Sequence, residues 1–135
     1  MEDKEMRSVI ARSTLVLLMV ALGGSGTSTQ TVQLRRVMQT KLVHAQRILA
    51  DVVTNDWQGL QTDATALRRA ARDPAWAVLV SPEYIRQTTT FVRATEDLID
   101  AAERRDLEAT PLAYVSLTLS CVQCHRYVAR MRIAK

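Results

Sequence analysis

Apolar residues return every three or four positions along four separate stretches of this chain, and residues that start or stop helices bound each stretch. In the first, Leu34, Met38, Leu42, Ala45, Leu49 and Val52 form one stripe. That is the period of a helix burying a single face, and it predicts a helix over roughly 31–53. Thr54-Asn55-Asp56 breaks it and can cap the next helix. The second runs from about 56 to 72, with Trp57, Leu60, Ala64, Leu67 and Ala71 on its stripe, and Asp73-Pro74 ends it. The connection that follows holds Trp76, Val78, Leu79 and Val80. It is apolar for a loop and is expected to fold over the core. Ser81-Pro82-Glu83 opens the third helix with an N-cap, a first-turn proline and an early acid. Tyr84, Thr88, Phe91, Thr95, Leu98 and Ala102 form its inward stripe, and Arg104-Arg105 sit in its last turn, where cations suit the helix dipole. The fourth begins between Asp106 and Pro111. Thr110-Pro111 is one start signal and Asp106 offers an earlier cap. It then runs without Gly or Pro to Met131. With four Gly and three Pro in 135 residues, the chain favours helices over a β-sandwich. One domain over 31–135 is expected, all-α, as an antiparallel up-down-up-down four-helix bundle.

The fourth stretch contains Cys121-Val122-Gln123-Cys124-His125, which holds both cysteines of the chain. Cys-x-x-Cys-His is the attachment signature of a c-type haem. The thiols become thioethers on the haem vinyl groups, and the imidazole becomes an axial ligand of iron. At 100° per residue the three side chains share an arc of ~100° on one helix, so they can approach one haem together. A thioredoxin-like dithiol needs a strand-to-helix junction, and nothing here reads as a βαβ unit. A zinc site needs further ligands, and the only other histidine is His44. These two, with a plain pair of buried thiols, are the alternatives to haem attachment.

In an antiparallel bundle the end of the fourth helix lies beside the start of the first. Met38 and His125 then fall within about one turn of the same height. Met38 is also central on its stripe, with Leu34, Leu42 and Ala45 within ~40° of it. It is therefore the candidate second ligand of iron, the other role for a methionine there being to fill the core. Lys41 lies at the edge of the stripe and reads as a solvated or snorkelling side chain. His44, ~120° from Met38, reads as a surface histidine. A His125/Met38 pair would give six-coordinate, low-spin iron with a raised potential, suited to electron transfer. Without Met38 the iron is five-coordinate and open to NO or CO.

Residues 1–30 read as a secretory leader. Arg7 and Arg12 precede the apolar run Leu15–Leu22, and a small, polar stretch from Gly23 to Thr29 follows. The run is short for a membrane span, which needs about 20 residues. Cleavage after Gly23 or Gly26, or retention as a signal-anchor, are the two outcomes. Export to the periplasm or beyond agrees with covalent haem assembly outside the cytoplasm. Membrane contact is expected only if the segment stays. The leader's three basic and three acidic residues cancel, so the formal +4 of the chain belongs to the remainder. Its arginines are spread without aromatic interleaving, which argues against nucleic acid. A basic face would suit an acidic redox partner.

The motif at the C-terminal end of four amphipathic helices resembles the class II c-type cytochromes, the cytochrome c prime and cytochrome c-556 family. The resemblance covers about residues 31–133 and includes the stretch from Phe91 to Leu112. Arg35-Arg36-Val37-Met38 is similar to the pattern of family members with an early methionine, which are low-spin. The resemblance implies one haem c, thioethers at Cys121 and Cys124, His125 as proximal ligand and Met38 as distal ligand. Arg35 is a candidate partner for a haem propionate, because a guanidinium matches a carboxylate bidentately. The chain departs from the family at Thr118, where a glycine is common. It departs again at Val128-Ala129, where an aromatic-Arg pair is common; Tyr127 and Arg130 are each displaced by one. The expected function is an exported monohaem electron carrier working with redox partner proteins. A five-coordinate NO- or CO-binding protein and a haem subunit of a larger redox complex are the alternatives. A homodimer through the first two helices stays open, although no stripe is clearly apolar on two sides. No acid–base pair or nucleophile arrangement suggests an enzyme.

Overall fold

A computed structural model of the chain describes residues 26–131. Among the described residues are four α-helices, α1 (Gly26–Thr54), α2 (Trp57–Ala70), α3 (Pro82–Glu103) and α4 (Ala109–Arg130), a 3-10 turn at Pro74–Trp76, and no strand. The described residues are all-helical, and these four helices are consistent with a four-helix bundle. The expected leader lies outside the described residues, apart from 26–30. The chain divides into two compact units, Met1–Gln33 and Leu34–Lys135. The described part of the first is the opening of α1, which begins before the expected position near 31. Residues 29–33 are exposed, so no apolar stripe announces those turns. The second unit contains the rest of α1 and the other three helices.

The helix ends follow from local pairing of backbone groups. Asn55 at the end of α1 has φ 57°, and the Asp56 N–H donates back to the Asp51 carbonyl over 2.9 Å. This is the left-handed stop that asparagine tolerates better than most residues. The Asp56 carboxylate then accepts from the Gly59 N–H at 3.0 Å and caps α2. A Cβ on Gly59 would come within 2.8 Å of Asp56 Oδ2 and 2.9 Å of Asp51 Oδ1. Glycine is therefore what lets both carboxylates close over this helix start. Ser81 caps α3 by accepting from Tyr84 N–H at 3.2 Å, with Pro82 in the first turn, as expected. The stop of α3 repeats that of α1: Arg105 has φ 52°, and Asp106 N–H donates to the Ala101 carbonyl over 3.0 Å. Of the two start signals for α4, Asp106 is the one used. Its carboxylate accepts from Ala109 N–H at 2.9 Å and Glu108 N–H at 3.1 Å, and these bonds hold its carboxyl below the usual range. Thr110 instead donates its hydroxyl to the Asp106 carbonyl at 2.5 Å, inside the first turn.

Ile48 of α1, Leu60 and Leu67 of α2, Leu98 of α3 and Leu117 of α4 form the centre of the core. Trp76, carried by the 3-10 turn, is also buried, and Val78 and Leu79 pack at the core's edge, so most of the apolar connection covers the core, while Val80 is 92% exposed. The inward stripes of α2 and α3 agree with expectation. That of α1 agrees only in part: Met38 and Val52 pack against the core without being fully buried. Its buried residues are Val37, Lys41 and Ile48, whereas Leu42 and Leu49 are exposed. Each buried residue precedes by one a residue expected inward, a rotation of up to ~100° at the helix period. The β-branched Val37 and Ile48, not the leucines, face the interior.

Candidate functional site

α4 carries Cys121, Cys124 and His125 in one uninterrupted helix, as the spacing predicted. Both cysteines are free thiols and half-buried, and His125 is exposed. Behind them Leu117 and Ser120 are buried, and the Ser120 hydroxyl donates to the Leu117 carbonyl at 2.7 Å. That internal bond lets a polar side chain enter the core without an unpaired donor. Near the end of α4 the Tyr127 and Ser81 hydroxyls are 2.8 Å apart, which ties the cysteine-bearing helix to the start of α3.

Cys121 and His125 border a pocket of about 110 Å³ to which all four helices contribute. α1 supplies Met38, Lys41, Leu42 and Ala45; α2 supplies Leu67; α3 supplies Phe91. Met38, placed opposite the motif on sequence grounds, thus shares a pocket wall with it. Arg35 is exposed and lines no part of this wall.

The cation at this site is Lys41. Its expected solvated position is corrected: the side chain is buried, 9% exposed. Its Nζ stands 3.6 Å from the ring centroids of both Trp76 and Phe91. These rings are 5.5 Å apart and inclined at 31°. Burial pushes the ammonium down to about 8, while the two nearby thiol groups oppose that shift. In turn, burial pushes the Cys124 thiol up and Lys41 draws it back down. The aromatic platform is itself braced. Trp76 Nε1–H donates to Thr88 Oγ1 at 2.9 Å, and the Tyr84 hydroxyl donates to the Trp76 carbonyl. Sequence reasoning missed this arrangement. The signal available was Val37, Lys41 and Ile48 at helical spacing, a second stripe with a cation in its middle.

His44 is also corrected. It is half-buried, and its Nδ1 lies 2.6 Å from Asp63 Oδ1 across α1 and α2, away from the pocket. Arg47 approaches the same oxygen at 3.9 Å.

Among the described residues no three of His, Cys, Asp and Glu converge as ligands of one metal ion. Haem attachment does not ask for that convergence, because its thiols bond to carbon and its iron takes four ligands from the porphyrin. The donor set fits: two partly accessible thiols one turn apart, an accessible imidazole beside them, and a thioether on the same pocket wall. No protein-family model, curated protein or solved structure matches this chain.

Proposed function

We propose that this chain is a monohaem c-type cytochrome that carries electrons, with the haem bound through Cys121 and Cys124, His125 on one side of the iron and Met38 on the other. The observation that carries this reading is the shared pocket of Cys121, His125 and Met38, beneath a Cys-x-x-Cys-His helix whose thiols are both free. When bound, the haem supplies a one-electron couple between ferrous and ferric iron. Cys121 and Cys124 would hold the group as thioethers, each S–H adding across one vinyl double bond, so that no oxidant would be consumed. Phe91 and Leu67 provide an apolar wall that keeps water from the group. A pocket of about 110 Å³ is smaller than the ~300–1,000 Å³ that enclose a small ligand whole. His/Met ligation raises the potential of such a site. The reading includes an antiparallel up-down-up-down arrangement, export through the leader, and redox proteins as partners.

The test is the full chain matured in an exporting host with haem-attachment machinery. Wild type is expected to keep haem through denaturation and to show the long-wavelength methionine–iron band when oxidised. Met38→Ala should lose that band and become high-spin. Cys121→Ser/Cys124→Ser should retain no covalent haem. A normal covalent yield in that double variant would refute the attachment. A high-spin spectrum in wild type, unchanged in Met38→Ala, would instead favour the five-coordinate, gas-binding alternative.

A further inference from the structure

A buried lysine in an aromatic frame is an expensive way to fill space, since a methionine or leucine would pack against Phe91 without desolvating a charge. Among the described residues Lys41 is in no ion pair. It is held by ring faces, with Nζ 3.6 Å from the centroids of Trp76 and Phe91. That choice has an electrostatic consequence. A carboxylate would hold the ammonium and cancel its field, whereas an aromatic quadrupole holds it and leaves the net charge in place. The charge is also shielded from salt, because the side chain is 9% exposed. It stands on the pocket wall shared by Cys121 and His125.

We propose that Lys41 is a fixed interior cation that raises the reduction potential of the group held in this pocket. The proposal rests on the haem reading above and adds a positioning residue to it. Adding one electron lowers the charge of the site by one. A nearby cation in a medium of low effective dielectric therefore favours the reduced state. Trp76 and Phe91 fix where the cation stands, and the bonds from Trp76 to Thr88 and from Tyr84 to the Trp76 carbonyl fix the larger ring.

The test uses the full, haem-loaded chain as wild type, Lys41→Arg, Lys41→Met and Lys41→Gln. Covalent haem retention, the oxidised spectrum and the midpoint potential are measured for each. Both neutral variants are expected to keep wild-type haem content and spectrum. Their one-electron equilibrium constant for reduction should fall about tenfold or more, which is about 59 mV. Lys41→Arg keeps the charge and should stay much closer to wild type. An unchanged potential in the neutral variants overturns the proposal. So does a potential that falls together with a change of spin or ligation, because Lys41 would then be an iron ligand. Loss of covalent haem in both neutral variants overturns it as well, since the lysine would then serve attachment. Absence of covalent haem from wild type refutes the haem reading itself and takes this inference with it. That outcome is distinct from a haem-loaded protein whose potential ignores Lys41.

Discussion

His44 and Asp63 show how much a single pair can reveal about the seating of a helix. Their side chains are 20% and 11% exposed, and 2.6 Å separates Nδ1 from Oδ1. Removing the imidazole leaves a mostly buried carboxylate without its nearest partner. We expect His44→Ala to cost about 1–2 kcal/mol in urea unfolding of the haem-free chain. Arg47→Ala should cost no more than about 0.5 kcal/mol, because its guanidinium is 3.9 Å away and largely exposed. Equal, small losses in the two variants would mean that the His44 pair contributes nothing. At this scale the sequence was legible where chemistry is written in spacing: Cys121, Cys124 and His125 share one face because the helix period requires it. It was illegible for His44 and Lys41. A polar residue flanking an apolar stripe can be solvated or buried, and its partners lie 19 or more residues away in the chain.

The elements themselves were largely legible, since helix starts and stops depend on groups within a few residues. Asp56, Ser81 and Asp106 each accept from a backbone N–H two or three residues on. The second stop was less visible. Arg105 takes the left-handed conformation at φ 52°, where an L side chain crowds the backbone and glycine does not. Arg105→Gly is therefore expected to stabilise the fold by about 1 kcal/mol, read as a higher urea midpoint with an unchanged slope. A lower midpoint would show that the arginine side chain, not the backbone, matters at this corner. The face of α1 was legible only in part. Two apolar stripes run side by side along it, one through Met38, Leu42 and Leu49, the other through Val37 and Ile48. Periodicity detects both and ranks them by count, whereas burial in the core selects the second.

For the whole molecule, the buried Tyr84 gives the fold an alkaline limit. Burial, with the Cys124 thiol as a second cause, pushes its phenol from 10.0 up to about 12. The unfolded chain therefore ionises first. The stability contributed by this phenol is complete below about pH 10 and is lost as pH rises from there towards 12. Tyr84→Phe should lower stability at pH 8, where the bond to the Trp76 carbonyl is missing, and lose less than wild type between pH 10 and 12. Unfolding titrations at three pH values check this, and parallel losses in the two proteins would contradict it. The sequence by itself determined four helices, the Asp56 and Ser81 caps and the helical arc of Cys121, Cys124 and His125, because each depends on neighbours within about one turn. Only the tertiary structure decided that Lys41 points between Trp76 and Phe91, that His44 meets Asp63, and that Met38 lines the pocket of His125. Hydrophobic burial has no direction of its own, so which stripe goes inward is settled only when all the helices pack together.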